Sequence, residues 1–95
     1  MFKGAKRSTD GLFTVLAKEN ISSAKLGLAI AKKNVKKAVK RNLIKRIVRE
    51  SFRHQKEQLS GYDFVILCRP KAAKATKKEL SLSINRHWAK LISDE

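Results

Sequence analysis

Cysteine occurs once in this sequence, as Cys68, and proline once, as Pro70. A lone cysteine excludes a disulfide framework and leaves a cysteine-built zinc site without its ligands. It sits inside the run FVILC and reads as a small buried hydrophobe. Breakers are scarce, and residues 34–60 contain neither glycine nor proline, so a long uninterrupted element is expected there. No apolar run approaches the roughly 20 residues of a membrane-spanning helix. The N-terminal MFKGAKRSTDG lacks the apolar core of a signal peptide. A cytoplasmic protein with no membrane partner is therefore expected.

Acids are also few: eight against 23 Lys and Arg, for a net charge of +15. Asp10, Glu19, Glu50, Glu57, Asp63, Glu79, Asp94 and Glu95 are scattered, and no pair suggests a two-metal site or an acid/base dyad. A glycine-rich phosphate loop is missing. His54 and His87 lie far apart, neither with an acid at catalytic spacing, and both read as structural. By its residues this is a binding protein, with no catalytic residue and no metal of its own. The six aromatics form no ladder for stacking successive bases. Phe13, Phe52 and Phe64 read as core, and Phe2 as a contact residue.

What is abundant is positive charge in one place. Lys32 to Arg53, KKNVKKAVKRNLIKRIVRESFR, holds ten Lys/Arg and one acid, Glu50. At about 100° per residue, Ile44, Ile47, Val48, Phe52 and Leu59 share one face with Ser51 and Gln55. Ala38, Asn42, Lys45, Arg46, Arg49 and Arg53 gather opposite. The apolar face should anchor a helix to a core and leave a basic row in solvent. Asn34 is the expected N-cap and Gly61 the stop. Lys36, Lys37, Lys40 and Arg41 crowd the first turns, where cations oppose the helix dipole at a few tenths of a kcal/mol each. Charges placed against stability suit an anionic ligand, and backbone contact with a structured RNA is the best physical reading.

Around this helix the pattern alternates strands and helices. Residues 3–11 read as a loop or frayed end, Leu12–Ala17 as a strand, Glu19–Ser23 as a turn. Lys25–Ala31 alternates, with Leu26, Leu28 and Ile30 on one side and a smooth side of Gly27, Ala29 and Ala31. That smooth side could receive a helix or an RNA backbone. Tyr62–Arg69 carries the continuous apolar run FVILC and reads as a central strand buried on both faces. Lys71–Lys74 reads as a basic loop. Thr76 with Glu79 forms a capping box for a last helix with the stripe Leu80, Ile84, His87, Trp88, Leu91 and Ile92. Strands interleaved with helices imply an α+β sandwich, residues 1–95 forming one RNA-binding domain with helices packed on the sheet.

Residues 31–53, AKKNVKKAVKRNLIKRIVRESFR, closely resemble the signature of the bacterial ribonuclease P protein subunit. LGLAIAKK before it and YDFVILCRP after it resemble the same family, and the likeness extends over residues 2–92. The resemblance implies a small α/β sandwich with a mixed sheet: a helix, three strands, the signature helix in a left-handed βαβ crossover, a strand and a last helix. It implies a protein that supports a catalytic RNA in removing the 5′ leader of precursor tRNA, the RNA performing the hydrolysis with Mg²⁺. On that likeness Arg41, Asn42, Lys45, Arg46 and Arg49 should contact the catalytic RNA. Lys32, Lys33, Lys36, Lys37, Lys40 and Arg53 should extend that surface. Phe2, Thr14 and Leu16 match leader-cleft positions, and alternation puts Thr14 and Leu16 on one strand face.

The family motif Arg-Asn-Arg stands here as Arg41, Asn42, Leu43, so one guanidinium is replaced. The sequence also begins where relatives have completed an apolar-patterned first helix. A truncation there would weaken leader binding and largely keep RNA binding, and adding an upstream helix should then raise leader affinity. A structural ribosomal protein and a DNA-binding module share the size and charge. Ribosome co-sedimentation at high salt would favour the first.

Overall fold

A computed structural model of the protein describes residues 5–20 and 25–93. Its strands are β1 (Ala5–Thr9), β2 (Phe13–Glu19), β3 (Lys25–Ala29) and β4 (Tyr62–Cys68). They form one sheet in the order β1-β2-β4-β3. β1 with β2 and β2 with β4 are antiparallel, while β3 runs parallel to β4. Parallel neighbours need a crossover, and α1 (Ala38–His54) supplies it. A five-residue 3₁₀ turn, Pro70–Lys74, and α2 (Lys77–Ser93) follow. The expected α+β sandwich is present.

The core lies between one sheet face and both helices. Phe13, Val15, Ala17, Phe64, Ile66 and Cys68 meet Ile44, Val48 and Phe52 of α1 and Leu80, Ile84, Trp88 and Leu91 of α2. Trp88 stands at its centre, edge-on to Phe64 at 5.2 Å and Phe52 at 5.9 Å between ring centroids. Its indole N–H donates to Ser51 Oγ at 2.8 Å. The α2 capping box forms in full: Thr76 N–H donates to Glu79 Oε1 and Glu79 N–H to Thr76 Oγ1.

Five expectations are corrected. Residues 5–9 form an edge strand. Their polar composition disguised them, but an edge strand needs little apolar surface, and Asp10-Gly11 is a hairpin signal. Asp10 Oδ1 accepts from Leu12 N and Phe13 N and so folds the β1–β2 turn. The signature helix starts at Ala38 and ends at His54, inside the expected 34–60. Asn34 is no N-cap: its Nδ2 donates to the Cys68 carbonyl, and Lys37 takes the cap position without a side-chain bond. After His54 the chain tightens into short turns such as Lys56 N–H to Arg53 O, which carry Leu59 into the core. They end at Gly61, whose φ of 94° suits glycine. The basic loop at Lys71–Lys74 is the 3₁₀ turn. Finally, β4 is central but buried on one face alone, with Val65 and Leu67 at 41% and 39% exposure. Among the described residues both helices lie on the other side of the sheet.

β1 is fastened to α2 by a polar cluster. Ser8 Oγ lies 2.6 Å from His87 Nδ1; His87 Nε2 lies 3.3 Å from Asp10 Oδ2 without a hydrogen bond, and that oxygen accepts from Ser83 Oγ. Burial lowers the His87 pKa, outweighing the Asp10 charge that raises it; Arg86 and Lys90 lower it further. Partial burial raises the Asp10 pKa, but bonds from Ser83, Phe13 and Leu12 and the His87 charge win and bring it to about 2. The unfolded chain therefore takes up protons first at both groups. Stability should fall as pH drops below about 6.5 through His87, and again from about 3.8 toward 2 through Asp10. Urea midpoints measured from pH 8 to 5 should fall for the native protein and flatten in His87→Gln.

Candidate nucleic-acid interface

The core face of α1 decides which of its residues face solvent. With Ile44, Val48, Ser51 and Phe52 buried, the helical repeat turns Asn42, Arg46, Arg49 and Arg53 outward, and all four are exposed. Lys45 is half-buried at the margin and lines, with these four and Glu50, a shallow groove of about 470 Å³. The expected basic row is thus assembled as a continuous surface. Val39, 81% exposed, falls on the same outward stripe by helical spacing.

The turns ahead of α1 carry the second group of cations. Lys33, Lys36 and Lys37 are exposed, and with Lys40, Lys74, Pro70 and Val35 they line a groove of about 650 Å³. Lys32 is exposed beside them. Two of the expected contact residues also hold the fold. Arg41 Nη1 donates to the carbonyls of Val35 and Lys36, at 2.9 and 2.8 Å, and braces the entry to α1. Lys40 Nζ donates to the Ala75 carbonyl and ties α1 to the segment before α2. Leu43 is half-buried.

Little of this charge is neutralised from within. Among the described residues Arg86 pairs with Asp10, and His87 would pair with the same carboxylate only when protonated, both away from α1. The first turn of α1 holds no acid, and its N-cap makes no side-chain bond. Among the described residues these exposed cations form no ion pair and share their groove with one acid, Glu50, so they raise the local potential and attract a polyanion.

The open face of the sheet is a separate surface. Registers place Thr14 beside Leu67, Leu16 beside Val65 and Arg7, and Gly27 and Ala29 beside Val65 and Leu67. Small and apolar groups form its middle, with Lys18 paired to Asp63 and Lys25 at one end. Thr14 and Leu16 therefore share a face as alternation required. Phe2, the third expected cleft residue, lies outside the described residues, as does part of the turn expected over Glu19–Ser23. Sequence reasoning missed Val65 and Leu67 because an uninterrupted apolar run hides which residues point out. The smooth side of β3 faces this open surface, and among the described residues no helix packs on it.

Among the described residues no group of three His, Cys, Asp or Glu could hold a metal ion. No helix there is long and apolar enough to cross a membrane.

Comparison with known proteins agrees with the geometry. The profile of the Ribonuclease P family matches residues 1–92. The ribonuclease P protein component of Methylococcus capsulatus is 43% identical over 89 residues, covering 93% of this chain and 70% of that protein. That of Legionella pneumophila strain Corby is 45% identical over 94 residues, covering 98% and 81%. The Staphylococcus aureus RNase P protein structure superposes with a TM-score of 0.81 at 28% identity, covering 94% of this chain and 82% of that one. The Thermotoga maritima RNase P protein bound to 1-(4-fluorophenyl)-2-thiourea gives 0.75 at 28% identity, covering 96% and 86%.

Proposed function

The chain belongs to the bacterial ribonuclease P protein family, and from that premise we propose that α1 and its entry turns hold the family's catalytic RNA while the open sheet face holds the 5′ leader of precursor tRNA. As a ribonuclease P protein subunit it is a holoenzyme component and serves tRNA 5′ maturation with that RNA. The observation that carries the interface reading is the un-neutralised basic stripe Asn42, Lys45, Arg46, Arg49 and Arg53, continued by Lys32, Lys33, Lys36, Lys37 and Lys40. Arg41 would touch RNA while bracing the helix entry.

Phosphodiester hydrolysis with Mg²⁺ is the RNA's part of the reaction, in the cytoplasm. This chain's part is positioning. Cations neutralise phosphates at the contact and release counterions, which favours the folded RNA and the docked substrate. A single-stranded leader has exposed bases and a flexible backbone. The strip of Thr14, Leu16, Val65, Leu67, Gly27 and Ala29 offers it apolar contact without steric obstruction, and Phe2 is part of the same reading.

The direct test is precursor-tRNA cleavage by a bacterial ribonuclease P RNA at low Mg²⁺, with and without this chain. Faster release of the 5′ leader is expected, and no acceleration together with no RNA binding would overturn the reading. The leader surface has its own test. Val65→Glu puts a charge on the open face, where the fold tolerates it because the side chain already meets water. Affinity of the holoenzyme for precursor tRNA should fall about tenfold while affinity for mature tRNA is unchanged. Equal effects on both would remove the leader from this face.

A further inference from the structure

Basic surface continues beyond the signature helix. Between the 3₁₀ turn and α2 lies a groove of about 540 Å³ lined by Leu12, Lys71, Lys74, Ala75, Glu79, Leu82 and Arg86. We propose that it is a second RNA-contact surface, taking an unpaired segment of the same RNA that α1 holds. This rests on the reading of α1 as the catalytic-RNA surface.

Three features point to an unpaired, phosphate-bearing strand. The first is charge left over for a ligand. Glu79 accepts the Thr76 N–H within the capping box, and Asp10 beside the groove is occupied by Ser83, Leu12 and Phe13. Among the described residues no ion pair engages Lys71 or Lys74, and Arg86 meets Asp10 at 3.8 Å with 76% of its side chain exposed. The second is an apolar floor. Leu82 is 52% exposed on a helix that buries Leu80, Ile84, Trp88 and Leu91, and half-buried Leu12 lines the same groove. A base can lie against such side chains while its phosphates meet the lysines at the rim; a duplex would present phosphates alone. The third is continuity. Lys74 lines this groove and also the groove of Lys33, Lys36, Lys37 and Lys40. The Lys40 bond to the Ala75 carbonyl fixes the two grooves to each other. A strand leaving the entry of α1 meets Lys74 next and reaches Lys71 and Arg86 in the same groove.

The lysines are set for this without strain on the fold. The stem of Lys71 runs past Gly11, its Cδ standing 3.6 Å from where a Cβ on Gly11 would be. Replacing it removes charge and leaves the core untouched.

The experiment measures affinity for a bacterial ribonuclease P RNA against salt for three proteins: native, Arg46→Ala with Arg49→Ala, and Lys71→Ala with Arg86→Gln. Circular dichroism checks the fold, and Lys71→Glu alone serves if the Arg86 change disturbs the Asp10 cluster. The Lys71/Arg86 variant should lose about 1.4 from the log–log salt slope, roughly 0.7 for each single-strand phosphate contact. A photo-crosslinking residue at Leu82 should capture an unpaired nucleotide of that RNA, and one at exposed Glu57 should capture none. A native slope in the Lys71/Arg86 variant with no capture at Leu82 overturns the second surface, provided the Arg46/Arg49 variant loses slope. A native slope in both variants overturns the reading of α1 as well. Capture at Leu82 of base-paired nucleotides alone overturns the unpaired-strand assignment.

Discussion

Arg46→Ala combined with Arg49→Ala should weaken binding of the catalytic RNA about 60-fold at 0.1 M salt. Each duplex phosphate contact contributes roughly 0.9 to the log–log salt slope. At 0.1 M salt, roughly tenfold below the 1 M reference, each contact is then worth about eightfold, and two multiply to about 60-fold, or ~2.5 kcal/mol. Both side chains are exposed and enter no ion pair among the described residues. Alanine is also the better helix former. Stability should therefore stay within about 0.5 kcal/mol of native, which separates lost binding from lost fold. Filter binding from 0.05 to 0.4 M salt reads the slope, and precursor-tRNA cleavage at low Mg²⁺ should lose its stimulation in parallel. A slope unchanged by the double substitution would place both arginines outside the interface.

The largest stability effect should come from Trp88→Ala, about 3–5 kcal/mol. The ring is fully buried, meets Phe52 and Phe64 edge-on, and sits where both helices close on the sheet. Small domains are stable by about 5–15 kcal/mol, and a net charge of +15 works against the compact state through self-repulsion. The variant should lie at the edge of unfolding at 37 °C and recover in part when salt or RNA screens the charge. Trp88→Phe keeps most of the ring packing and loses the N–H bond to Ser51. Ser51 Oγ still donates to Asn85 Oδ1, so a cost of about 1 kcal/mol is expected. Urea unfolding of the two variants orders these effects, and equal costs would mean that the hydrogen bond, rather than the ring's bulk, holds the helices to the sheet.

Where the pattern in the chain was periodic, the local reading succeeded. The stripe Leu80, Ile84, His87, Trp88, Leu91 became the packed face of α2, and the Thr76–Glu79 box formed as spaced. The basic row of α1 stands in solvent because burying one face of a helix exposes the other. Where the pattern was uniform, it carried no direction. Every residue of FVILC is apolar, so nothing local distinguishes Val65 and Leu67, which face outward, from Phe64, Ile66 and Cys68, which face the helices.

The amino-acid sequence by itself determined a strongly basic chain, with a helix of one-sided charge and a resemblance specific enough to name the family. Composition and spacing are local properties and survive without coordinates. Tertiary structure alone decided that both helices pack on one side of the sheet and leave Thr14, Leu16, Val65 and Leu67 open on the other. It also turned Asn34 from a helix cap into a tie to Cys68, made residues 5–9 an edge strand, and joined the Lys71–Lys74 turn to the entry of α1 through Lys40 and Ala75. Each of these depends on contacts between segments distant in sequence, whose energies no local pattern contains.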